Sequence, residues 1–265
     1  MANLLESLKL IRTISRDIFR VASKEKLMYG FLILSVLFVL LSNIPFFIND
    51  PRLFEGMAPR IASLQIGFMG INMFLMLISV FVGLSVMQEI LSEHSLCMLL
   101  SKPVRRWHII EGVFFGLFKV IFLNWLVMVL SLWGIVYFHT GEFSVNILMG
   151  MGVSLVLVMI YTSLLIFFYT LIPNAISGIL TFFIIIAGFG VSLSREFFSS
   201  IPSFLSLFAK IGLELVPKIN LLLGISMNTL GIFKLPINCF PIFVHTVILI
   251  ITLHILSCFK FSRPR

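Results

Sequence analysis

Long apolar stretches, parted by short polar breaks, limit the folds open to this chain more than any other feature. Leu27 to Ile48, Leu64 to Met87, Val113 to Phe138, Val145 to Ile172, Ala175 to Leu193 and Phe240 to Phe259 carry Lys119 as their one formal charge. A helix needs roughly 20 mostly apolar residues to cross about 30 Å of hydrocarbon, and each stretch is close to that length or longer. Charged residues make up 11% of the 265 and hydrophobic ones 60%, where a soluble domain is about 25% charged. The chain therefore reads as all-α, a polytopic membrane protein with six transmembrane helices in a single domain spanning 1–265. The first stretch follows a charged segment as a signal peptide would, but it is too long and has no small-x-small cleavage site, so it is expected to be a retained span.

The formal net charge of +8 marks topology. With the amino terminus in the cytoplasm, segments on that side hold Lys9, Arg12, Arg16, Arg20, Lys24, Lys26, Lys102, Arg105, Arg106, Lys119, Lys260, Arg263 and Arg265. The opposite side holds Arg52, Arg60, Arg195, Lys210, Lys218 and Lys234. Lys and Arg accumulate in cytoplasmic loops, so both termini are expected there. Nucleic acid is not an expected partner, because no basic soluble domain carries the charge.

Residues 1–26 form an amphipathic segment. Leu4, Leu5, Leu8, Ile11, Ile14, Ile18, Phe19 and Ala22 share one helical face, with Lys9, Arg12, Arg16 and Arg20 opposite. Such a helix is expected to lie in the headgroup plane with its cations on membrane lipids. Residues 194–238 differ again, with Pro202, Pro217 and Gly224 dividing apolar pieces too short to cross. Pieces of that length suit re-entrant or interfacial helices, and a lid of short helices at the outer face before the last span is expected. The connections on either side of the fourth stretch are short, which makes consecutive helices antiparallel neighbours in one bundle.

Chemistry-bearing groups are sparse. Lys119 can snorkel to the cytoplasmic headgroups, and His245 and His254, near opposite ends of the last stretch, read as satisfied interfacial histidines. Cys97, Cys239 and Cys258 are scattered without CxxC spacing and read as packing residues. There is no HExxH, no GxSxG elbow, no pair of carboxylates inside a stretch for acid and base work, and no GxxxxGK[ST] phosphate loop. The chain is not expected to be an enzyme or to bind a cofactor or metal itself; any uphill transport would draw its energy from a partner.

That absence turns attention to the basic loop at 88–112. Gln88 to Cys97 alternate apolar and polar residues at helical spacing, with Glu89 and Glu93 one turn apart on one face. Pro103 disfavours helix at Lys102 and turns the chain, and Arg105 to His108 then run straight into the third stretch. A partner could push on this element and the push would travel along the third span. On composition alone, Lys102, Arg105 and Arg106 serve equally well as topology anchors.

The run Met98 to Gly112, MLLSKPVRRWHIIEG, resembles the cytoplasmic loop of type 2 ABC transporter permeases. There an acidic, polar run precedes a Leu-Leu-Ser-Lys-Pro-Val-x-Arg-like core and a Gly at the start of the third span. Leu99, Leu100, Ser101, Lys102, Pro103, Val104, Arg106 and Gly112 match that core. The resemblance implies that Glu89, Glu93, Leu99, Leu100, Ser101, Lys102, Pro103, Arg105, Arg106 and Trp107 belong to a coupling helix that docks a cytosolic ATPase. It further implies two ATPase subunits carrying ATP and Mg, a second permease copy or homologous permease, and residence in a prokaryotic inner membrane. His94-Ser95 stands where the family often has a small pair before its leucines, and Val113 where a Lys often follows the Gly; both departures touch the docking contacts. The importer-type Glu-Ala-Ala loop is missing, so solute import of that kind is not expected, and an uncharged bundle interior suits export of an apolar or amphipathic cargo.

A membrane scaffold that recruits a soluble protein without transport is the alternative. An integral membrane enzyme would need a polar cluster at depth, for which Asn72, Asn124 and Tyr161 are the candidates; Asn72 and Asn124 read instead as hydrogen-bonding glue between helices. Gly178, Gly188 and Gly190, with Ser177 and Ala187, permit close helix approach in the fifth stretch and mark a possible permease dimer seam.

Overall fold

The computed structural model describes residues 2–47, 59–90, 105–141, 145–172, 175–199, 219–231 and 239–262, which are helical apart from a few turn and cap residues. In chain order they are α1 (Ala2–Ala22), α2 (Lys26–Leu41), α3 (Ile44–Phe47), α4 (Pro59–Ile90), α5 (Arg106–Thr140), α6 (Val145–Leu171), α7 (Ala175–Ser199), α8 (Ile219–Thr229) and α9 (Cys239–Ser262). No strand occurs among the described residues. Lys26–Phe47, Pro59–Ile90, Trp107–Thr140, Val145–Leu171 and Phe240–Phe261 are each long and apolar enough to cross a membrane. The chain is thus an all-helical polytopic membrane protein. The stretch expected as a fifth span lies in α7, a 25-residue helix whose described side chains run to Phe189.

Local sequence sets the helix ends. Pro59 opens α4 at the first helical position, where its missing N–H would have had no partner anyway. Gly141 closes α5 at φ 66°, its N–H donating to Tyr137 O at 2.8 Å; the left-handed turn is cheap only for a residue without Cβ. Between α1 and α2 the helix breaks at Ser23 to Glu25, and Ser85 Oγ of α4 donates to Glu25 Oε1 at 2.7 Å, pinning the corner to the bundle. The 35 residues of α5 extend about 52 Å at about 1.5 Å per residue, well beyond the hydrocarbon thickness.

Burial separates inner from outer helices. The most apolar windows of α4 and α6 are 67% buried, while those of α2–α3 and α9 are 22% and 17% buried. α4 and α6 therefore form the centre, packed against α5, and α2 and α9 leave apolar flanks such as Ile33, Leu37, Ile248 and Ile255 exposed. Exposed aliphatic side chains on a spanning helix cost nothing where the solvent is lipid. At the centre Trp125 of α5 donates through Nε1 to Met151 O of α6 at 3.1 Å.

Some expectations change here. Asn72 and Asn124 do not bridge helices: their Nδ2 groups donate to Phe68 O and Val120 O, one turn back on their own helices, at 2.8 and 2.9 Å. An amide one turn after a carbonyl finds it by the shortest path. Pro202 and Pro217, which divide the short helices expected over 194–238, lie outside the described residues, but α8 is one such short helix. It packs along α6 and α7, with Ile219, Leu222 and Ile225 buried in one cluster with Leu157, Ile160 and Leu164, and Ser226 Oγ donates to Gly150 O.

Candidate functional site

The loop expected to dock a partner is anchored at both ends by helix. Glu89 is the penultimate residue of α4 and exposed. Arg105 caps α5 in extended backbone (φ −72°, ψ 143°) and is exposed, Arg106 opens the helix, and Trp107 is 38% exposed and stacks on His108 with ring centroids 4.0 Å apart. Glu93, Leu99, Leu100, Ser101, Lys102 and Pro103 lie outside the described residues.

Just beyond the loop, α1 crosses α5 at very short range. Ile14, Ile18 and Ala22 are buried while Arg12, Arg16 and Arg20 stay exposed, so protein covers this later part of the amphipathic face, whereas Leu8 on the same face is 54% exposed. Gly112 and Gly116 make the crossing possible. A Cβ at Gly112 would stand 2.5 Å from Ile14 Cγ2, and one at Gly116 2.5 Å from Ile18 Cγ2. One turn further on, Lys119 Nζ donates to the buried Ser15 Oγ at 2.8 Å. The segment that leaves the basic loop is therefore clasped by the amino-terminal helix over two turns.

On another face of the same α5 segment, a polar cluster joins three spans. Glu111 Oε1 of α5 lies 2.9 Å from His254 Nδ1 of α9, and His254 Nε2 lies 3.2 Å from Ser163 Oγ of α6. The proton assignment follows from the partners. Ser163 Oγ is also 2.6 Å from Met159 O, and a carbonyl has no proton to give, so the hydroxyl proton points there. Nε2 must then be the donor toward Ser163 Oγ, leaving a single proton between Nδ1 and Glu111. An imidazolium with a carboxylate and a neutral imidazole with a carboxylic acid both fill the network.

The order Ser–His–Glu resembles that of a hydrolase triad, but the proton directions oppose it. A nucleophilic serine needs its base unprotonated at the facing nitrogen, and here that nitrogen donates while the hydroxyl is spent on a carbonyl. Ser163 is also buried at 1% exposure. The arrangement can share a proton and tie α5, α6 and α9 together. Trp107, Glu111, Phe114, His254 and Cys258 line a cavity of about 520 Å³ beside it, and Phe114 sets its ring edge-on to His254 at 4.4 Å.

Sequence reasoning treated His254 alone and passed over Glu111, because 143 positions separate them; His254 does have both nitrogens partnered. Of the expected seam, Gly178 of α7 packs within the chain, where a Cβ would meet Leu84 Cδ2 at 3.0 Å. Gly188 is buried on the same helix and Gly190 follows it one half-turn later. Tyr161 is fully buried and, among the described residues, its hydroxyl has no hydrogen-bond partner. Among the described residues no three His, Cys, Asp or Glu side chains gather as a metal site. No family model and no curated protein matches this chain.

Proposed function

We propose that the chain is the transmembrane permease subunit of an ATP-driven ABC transporter, exporting an apolar or amphipathic substrate, with six spans and both termini in the cytoplasm of a prokaryotic inner membrane. Two cytosolic ATPase subunits would dock on the loop at 88–112, and a second permease copy or relative would complete the path. The observation that supports this reading most is the clasp of α1 on α5 at Gly112 and Gly116, directly after the Leu-Leu-Ser-Lys-Pro-Val run. Arg105, at the end of the loop, caps a 35-residue helix that α1 grips, so a push delivered there would travel along a rigid lever. Glu111 and His254 extend that lever to α9.

Co-expression with the ATPase encoded beside it tests the reading. The expected result is a stable complex whose ATPase rate responds to the permease, and the loss of both when Lys102→Glu and Arg106→Glu are combined. A complex and stimulation that survive the double reversal would sink the docking role, and no complex with any such ATPase would sink the transporter reading.

A further inference from the structure

A cavity of about 690 Å³ opens between α1 and α5, with Arg12, Arg16 and Lys119 on its polar wall and Phe118, Phe122 and Leu123 on its apolar wall. Arg12 and Arg16 are one turn apart and share a face of α1. Among the described residues none of these cations forms an ion pair with an acidic side chain. Lys119 spends one N–H on Ser15 and keeps two more. Thr13, which also lines the cavity, gives its hydroxyl proton to Lys9 O at 2.9 Å. Among the described residues the free donors are therefore all cationic, and no carboxylate lines the space.

The apolar wall continues. Phe19 and Leu123 belong both to this cavity and to a second, of about 260 Å³, which follows α5 past Val120 to Val127. From Lys119 to Val127 the two run for about 12 Å along the helix axis at about 1.5 Å per residue. A cationic mouth beside an apolar groove matches a ligand with an anionic head and a hydrocarbon tail.

We propose that this cleft binds one anionic phospholipid, its phosphate among Arg12, Arg16 and Lys119 and an acyl chain along Phe122 and Leu123 into the second cavity. A soluble phosphate would leave the apolar wall unused. A zwitterionic lipid would bring an ammonium to a mouth that has only cations. The lipid would fill the angle between α1 and α5 and brace the clasp that holds the start of α5. The proposal depends on the membrane setting and not on ATP coupling.

Native mass spectrometry of the purified full-length chain tests it, with phosphatidylglycerol and phosphatidylcholine of equal acyl chains and with glycerol 3-phosphate as a tail-less probe. The wild type is expected to retain one phosphatidylglycerol about tenfold or more over phosphatidylcholine, and glycerol 3-phosphate is expected not to displace it. Each membrane-facing cation contributes about fivefold, so Arg12→Gln with Arg16→Gln should erase the preference. Both arginines are exposed, so this variant should keep its fold. Leu123→Trp keeps every cation but fills the tail groove, and should also lose the bound lipid. Equal retention of the two lipids by the wild type would overturn the proposal, as would full preference in Leu123→Trp, which would mark diffuse surface attraction, or displacement by glycerol 3-phosphate.

Discussion

Glu111 Oε1 and His254 Nδ1 stand 2.9 Å apart across the α5–α9 interface, sharing one proton, with Ser163 of α6 closing the far side of the imidazole. The side chains are 23% and 12% exposed respectively, so neither is free to be solvated if the other is removed.

Breaking the pair one side at a time should therefore cost more than removing it whole. His254→Leu leaves a partly buried carboxyl and Glu111→Leu leaves an imidazole nitrogen without its partner, each expected to lower stability by about 1–3 kcal/mol. The double variant should recover part of that loss, with a coupling of about 0.5–3 kcal/mol. Thermal unfolding in detergent micelles measures the cycle, and additive single losses would show that the two groups do not interact.

The proton directions around Ser163 make a second prediction. A fluorophosphonate probe, which labels serines activated by an unprotonated base, should leave Ser163 unmodified in the folded chain. Ser163→Ala should cost about 1 kcal/mol for its hydrogen bonds. Stoichiometric labelling at Ser163, found by peptide mapping, would restore the hydrolase reading that the geometry opposes.

The α1–α5 crossing should be intolerant of bulk. Gly116→Val places methyls where Ile18 Cγ2 already lies 2.5 Å from a Cβ position. Forcing extra carbons into a packed contact costs about 1–3 kcal/mol, and part of it should appear as release of α1. Faster proteolytic clipping near Ser23 to Glu25 in Gly116→Val, with Gly134→Val as the control in open space, reports the release.

Orientation can be read by single cysteines in a background lacking Cys97, Cys239 and Cys258. With both termini cytoplasmic, cysteines at Lys24 and Lys260 should be shielded from a membrane-impermeant maleimide in intact cells, and one at Gly141 should react at once. The reverse pattern would invert the charge rule for this chain.

The helices themselves were largely legible. Apolar runs of spanning length, the amphipathic period of residues 1–26 and the direct passage of Arg105 to His108 into the third stretch all act through neighbours a few residues away, where sequence spacing is a physical distance. The fate of α8 was less so, because an 11-residue apolar helix meets its needs equally at an interface or inside a bundle. The amides of Asn72 and Asn124 show the same limit in small: bonds across helices or back along one satisfy the same donors.

The sequence by itself determined that this chain crosses lipid as helices and which segments carry its charge, because hydrocarbon admits no unpaired backbone and few ions. Only the tertiary structure decided which helices touch. Apolar side chains gain little from one another over lipid, so contact is selected by shape and by the few polar groups that need partners. The bare flank of Gly112 and Gly116 thus chose α1, and Glu111 met His254 across 143 residues.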